Sequence, residues 1–121
     1  MKTLILMIAL SLLIMANSSL ATELLREPSL KGNTLVFAYA NDIWKADIRG
    51  GDAIRLTSFQ GRETAPKISP DGKWVAFTGQ YEGNADVYVV SIDGGDATRL
   101  TYHPTTDVAV GWAKQGANDF I

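Results

Sequence analysis

Two stretches of this chain are nearly the same, 44 residues apart. "NDIWKADIRGGDAIRLT" (41–57) and "ADVYVVSIDGGDATRLT" (85–101) match Asp42 with Asp86 and Ile48 with Ile92. They also match Gly50-Gly51-Asp52-Ala53 with Gly94-Gly95-Asp96-Ala97, and Arg55-Leu56-Thr57 with Arg99-Leu100-Thr101. Trp44 and Tyr88 share one position, aromatic in both copies. A second pair, "SLKGNTLVF" (29–37) and "SPDGKWVAF" (69–77), recurs at an offset of 40, and a longer loop over 79–84 absorbs the difference. A third copy opens in "VGWAKQG" (110–116), which sets Trp112 under Ile68 and Gly116 under Gly72. A period of about 40–45 residues with several short strands per unit is the signature of a β-propeller blade.

The complete unit divides into four strands. Residues 64–69 form the first, with Ile68 as its apolar anchor. Pro70-Asp71-Gly72-Lys73 is a turn, because Pro fixes φ and Gly supplies the positive φ that ends it. Residues 74–78 are the second strand and 86–92 the third. In the third, Val87, Val89 and Ser91 share one face while Tyr88, Val90 and Ile92 share the other. Asp93-Gly94-Gly95 turns the chain into a short fourth strand over 98–101. The expected fold is all-β, a partial β-propeller of about two four-stranded antiparallel blades (24–57 and 64–101) with the start of a third (108–121). Propellers close with about four to eight blades, so the ring is expected to be incomplete within these residues. Its open faces and C-terminal strand edge are expected to favour aggregation and poor solution stability.

The leading residues read differently. Lys2, the apolar run "LILMIALSLLIM" (4–15) and the small-x-small site Ser19-Leu20-Ala21 have the order of a secretory signal peptide. Cleavage is expected after Ala21, giving a periplasmic or secreted product. Twelve apolar residues fall short of the roughly 20 that a spanning helix needs, so no membrane association is expected after cleavage. Of the 11 basic residues, Lys2 leaves with this segment, so ten face 13 acidic ones. A mildly acidic chain is a poor partner for nucleic acid. With no cysteine there are no disulfides or thiolate metal sites.

Residues 63–104, "ETAPKISPDGKWVAFTGQYEGNADVYVVSIDGGDATRLTYHP", resemble the WD-like propeller repeat of bacterial exported and peptidase-associated proteins. The succession "LVFAYANDIW", "RLTSFQGRETAPKISPDGKWVAFTGQYEGNADVYVV" and "RLTYHPTTDVAVGW" is similar to the beginning of tricorn-type proteases. That resemblance covers residues 24–112 and weakens at "AKQGANDFI". It implies a large serine peptidase, a homo-oligomer acting on peptides or polypeptides, whose N-terminal propeller gates a catalytic domain elsewhere. Two other propeller classes share the repeat: the non-catalytic scaffold of the Tol translocation system and the propeller of prolyl-oligopeptidase-type hydrolases. The first carries an α/β domain ahead of its propeller, for which residues 22–28 leave no room.

Chemistry within the chain itself is sparse. His103 is the one histidine, and "TYHPTTD" reads as a connection between blades, with no serine placed to act as its nucleophile. Asp71, Asp93 and Asp96 lie in turns beside glycine, where carboxylates satisfy local backbone groups. "DGGD" (93–96) offers too few oxygens for calcium. Gly50-Gly51 and Gly94-Gly95 lack the Lys-Ser/Thr and the helix of a phosphate loop. Trp44, Trp74 and Trp112 are expected to pack between blades. Asp42 and Asp86 are expected to play a structural part in each blade, while Arg55 and Arg99 line a channel end or face solvent. No catalytic, cofactor-binding or metal-binding residue is assigned.

Overall fold

The computed structural model describes residues 26–102, 104–115 and 118–120. The expected signal segment, His103 and Gly116 lie outside them. Strands β1 (Arg26–Lys31), β2 (Thr34–Tyr39), β3 (Asp42–Asp47) and β4 (Ile54–Arg55) form one antiparallel sheet in that order. Strands β5 (Arg62–Ile68), β6 (Trp74–Glu82), β7 (Asn84–Ser91) and β8 (Thr98–Arg99) repeat it. β9 (Ala113–Gln115) and β10 (Asn118–Phe120) pair as a further hairpin. The fold is all-β, two four-stranded blades of a partial propeller.

The internal repeat is visible in the backbone bonds that close each sheet. The Leu56 amide donates to the Ile43 carbonyl at 2.8 Å, and Leu100 to Val87 at 2.7 Å, each pair displaced by the 44-residue period. Glu63 to Asn41 (3.1 Å) and Asp107 to Ala85 (2.8 Å) tie each blade to the start of the next segment in the same way. The Ser69–Trp74 turn is held by five hydrogen bonds: Ser69 donates its amide to the Trp74 carbonyl, Gly72 donates to the Ser69 carbonyl, Trp74 donates to Ser69 Oγ, and Asp71 accepts from Ser69 Oγ and the Lys73 amide. Gly72 sits at φ 75°, as the turn requires.

β1 and β5 are sheet edges, and each carries a proline, which an edge tolerates because it has no partner awaiting the missing N–H. Each is also broken by a bulge, with positive φ at the residue before the proline, Glu27 (51°) and Ala65 (54°). Contacts between the blades concentrate on β1 against β5, with none comparable between β4 and β8. The blades therefore converge at their first strands and splay at their last, the wedge of a propeller. The longer loop expected over 79–84 is instead the tip of an extended hairpin. β6 continues to Glu82, β7 begins at Asn84, and Gly83 turns between them at φ 97°.

Period-2 alternation divides each blade into two apolar faces. Val36, Ala38, Ile43 and Leu56 of the first meet Val75, Phe77 and Val90 of the second, with Ile68, Tyr81 and Tyr88 at the margin. Burying each of the large side chains in this seam contributes about 1.5–3 kcal/mol. Lys45 crosses the same seam to donate to the Ile92 carbonyl at 2.7 Å. On the opposite face of the second blade Ala76 and Val87 pack with Ala109, and Trp112 covers them while its indole N–H donates to the Lys67 carbonyl at 2.8 Å. Trp44 is half-buried edge-on to Tyr39 on the first blade's other face. Trp74 departs from the expected packing. It lies on the Ala76 face at the start of β6, outside the cluster of Ala76, Val87, Ala109 and Trp112, and is 46% exposed.

Candidate functional site

The polar residues of the repeat gather at one end of the blades, where β2 turns into β3 and β6 into β7. In the second blade Arg99 Nη2 donates to Asp86 Oδ2 at 2.7 Å, and Arg99 Nε donates to the Thr101 carbonyl at 2.8 Å. The Thr101 hydroxyl donates to Asp86 Oδ1 at 3.3 Å and accepts the Val87 amide at 3.0 Å. Asp86 is buried at 4% exposure, so its charge needs that arginine. The first blade repeats the set with a looser ion pair, Arg55 to Asp42 at 3.5 Å, and the Ile43 amide donates to Thr57 Oγ1 at 2.9 Å. The recurring Asp, Arg and Thr thus form a clasp between the third strand and the end of the fourth. Arg55 and Arg99 are partners of Asp42 and Asp86, a role that neither the channel nor the solvent expectation contained.

A further acid joins the first clasp. Glu63, at the head of β5, is 1% exposed. The Thr57 hydroxyl donates to its Oε2, and the Tyr81 hydroxyl donates to Oε1 at 2.9 Å. Burial pushes the Glu63 carboxyl above its ordinary range, the two hydroxyl donors oppose the shift, and the Asp42 charge adds to it. Tyr81 is in turn raised by burial and by Glu63. Nothing in the repeat pattern flagged Glu63, because the residue one period on is Asp107, whose amide bond is equivalent but whose identity differs.

Beside this cluster a cleft of about 560 Å³ opens between the 59–60 connection and the β6–β7 hairpin. Phe59, Tyr81 and Tyr88 form its aromatic wall, with ring centroids 5.2 Å apart for Phe59–Tyr81 and 4.8 Å for Tyr81–Tyr88. The two tyrosine rings can sit so close to β6 because Gly79 has no side chain. A Cβ there would lie 2.9 Å from the Tyr81 ring and 3.0 Å from the Tyr88 ring. Gln60, Glu82 and Asn84 supply the polar rim, and the Asp86–Arg99 pair closes the far side. Arg99 also stacks 4.7 Å over the exposed Tyr102 ring.

The other residues singled out in the sequence are dispersed. Asp71 caps its own turn, and the Ser69 hydroxyl and Lys73 amide hold its carboxyl below the usual range. Asp93 lies at the opposite blade end, 3.9 Å from Lys45, and Asp96 is exposed. Among the described residues no three His, Cys, Asp or Glu side chains converge to hold a metal.

Two four-stranded blades meeting on an apolar seam, each clasped by its own Asp-Arg-Thr set, define a β-propeller module built from a repeated blade. The chain belongs to the tricorn protease N-terminal β-propeller domain family, whose model matches residues 22–120. It is 36% identical over 97 residues to tricorn protease homolog 1 of Streptomyces coelicolor, covering 79% of this chain and 9% of that protein. Among solved structures, the tricorn protease is similar with a TM-score of 0.59 and 27% identity, over 65% of this chain and 8% of that one. A putative TolB from Agrobacterium tumefaciens is similar with a TM-score of 0.50 and 33% identity, over 65% of this chain and 27% of that one. The chain therefore spans about a tenth of the length of these two tricorn relatives.

Proposed function

We propose that this chain is part of the first propeller of an exported tricorn-like serine peptidase, and that the propeller controls passage of peptides to a catalytic domain in the rest of that protein. The family match across nearly all of residues 22–120 carries the reading. The convergence of β1 and β5 supports it, since blades wedged in this way surround an axial passage once the ring is complete. The propeller contributes selection by size and surface, and the bond cleavage belongs to the catalytic domain. Export rests on the leading residues 1–21, with a mature product beginning at Thr22.

The test is a chimera in which residues 22–120 replace the aligned segment of the Streptomyces homologue. Cleavage of a fluorogenic tetrapeptide and of a 30-residue peptide is then compared with the unaltered enzyme and with a deletion of the segment. The chimera is expected to keep the size preference and the deletion to lose it, while this chain alone hydrolyses neither. Equal size preference with and without the segment overturns the gating role. The similarity to the putative TolB favours a second reading, a non-catalytic propeller scaffold, and a chimera that folds but no longer cleaves either peptide would support it. N-terminal sequencing of the exported product, expected to start at Thr22, tests the leader.

A further inference from the structure

The cleft at the β6–β7 hairpin has a charge balance that its neighbours do not. Among the described residues its one cation, Arg99, is neutralised by Asp86 at 2.7 Å and spends a second donor on the Thr101 carbonyl. The described residues of the cleft therefore offer no free positive charge to an anion. Glu82 is different: among the described residues its carboxylate has no ion-pair or hydrogen-bond partner, yet it lines the same cleft as Phe59, Tyr81 and Tyr88. Tyr88 lies within electrostatic reach of it. Burial raises the Tyr88 hydroxyl, Arg99 opposes that, and the charges of Asp86 and Glu82 add to it. Asn84 gives its amide N–H to the Pro104 carbonyl, which turns its side-chain oxygen into an available acceptor.

We propose that this cleft binds a cationic side chain of a peptide, with arginine preferred to lysine. An aromatic wall attracts a cation through the electron-rich ring faces. A flat guanidinium stacks on such a wall while its N–H fork engages a carboxylate in bidentate fashion, whereas an ammonium has neither the flat face nor the fork. Glu82 supplies the charge, Phe59 and Tyr81 the stacking surface, and Asn84 and Gln60 acceptors for the remaining donors. The volume of about 560 Å³ holds an arginine side chain with its flanking peptide groups. The peptide context rests on the proposed function, whereas the preference for a cation is read from the cleft alone.

The experiment titrates the full chain with N-acetyl-arginine-methylamide, N-acetyl-lysine-methylamide and the neutral isostere N-acetyl-citrulline-methylamide, following the Tyr81 and Tyr88 ring resonances by NMR. The arginine probe is expected to shift both rings and to bind tighter than lysine. Citrulline is expected to bind about tenfold more weakly, the loss of a charged hydrogen-bonded contact. Glu82→Gln is expected to erase that difference, while Asp93→Asn at the opposite blade end leaves it intact. Citrulline binding equal to arginine, an unchanged Glu82→Gln variant, or no ring shift with any probe overturns the proposal. No ring shift alongside a size-selective chimera removes the cation site alone. Arginine binding alongside a chimera without size selection removes the gating role alone.

Discussion

Glu63 receives hydroxyl donors from both blades, Thr57 at the end of the first and Tyr81 on β6 of the second, at a position 1% exposed. Truncating it would take the acceptor from both hydroxyls at a buried position, so Glu63→Ala is expected to cost about 2–4 kcal/mol in urea unfolding. Its pH behaviour has the opposite sign from a surface carboxylate. The folded pKa is raised above the ordinary 4.5, so the native state holds a proton that the unfolded chain has released. Stability from this group is fully present below the unfolded pKa and is lost as pH rises through the folded one. Glu63→Gln carries no titrating proton. Subtracting its urea midpoint from the wild-type value at each pH should give a difference that declines as pH rises above the ordinary 4.5. A flat difference would show that Glu63 titrates at its unfolded value. Asp42 faces the same cluster, is itself pushed up by burial against the pull of Arg55, and adds its charge to the Glu63 shift.

The Asp-Arg-Thr clasp predicts an order between the two blades. Thr57 and Thr101 each accept the amide of a β-strand residue, Ile43 and Val87. Replacing either by valine keeps the shape and strands that N–H, at about 1–3 kcal/mol. Thr57 also donates to a buried carboxyl, whereas Thr101 donates to an Asp86 that Arg99 already holds. Thr57→Val should therefore lower the urea midpoint more than Thr101→Val, and equal losses would mean that Glu63 draws little from Thr57. Much of this element was legible in the sequence, because Asp42, Arg55 and Thr57 recur one period later as Asp86, Arg99 and Thr101. What the pattern could not supply is which of these residues touch, since strand pairing brings 42 to 55 and 86 to 99 through space. The cleft was illegible for a related reason. Phe59 and Gln60 have His103 and Pro104 one period on, so nothing in the repeat marks them. Trp74 was misplaced because alternation gives its face correctly but not whether anything reaches that face.

The two blades act as a unit only through the seam, where Phe77 is fully buried among Val36, Ala38 and Ile43 of one blade and Val75 and Val90 of the other. Neither sheet could bury its inner face alone, so each blade is the other's core. Phe77→Ala removes the largest apolar side chain of the second blade from that shared core, at about 3–5 kcal/mol, a large part of the stability of a domain this size. The hydrophobic term is shared, so the loss should not stay within the second blade. Amide exchange is expected to rise in step at Val36 and Ile43 and at Val75 and Val90 in the variant. Phe37 provides the contrast: it is as deeply buried but packs with Leu35, Ala46 and Ala53 on the far face of the first blade. Phe37→Ala should therefore raise exchange in the first blade ahead of the second. If Phe77→Ala instead loosens the second blade and leaves Val36 and Ile43 protected, the blades are independent units, and the seam is a contact surface rather than a common core. The Lys45 bond to the Ile92 carbonyl, at 2.7 Å across the same seam, would then be the stronger coupling, and Lys45→Met would separate the blades where Phe77→Ala does not.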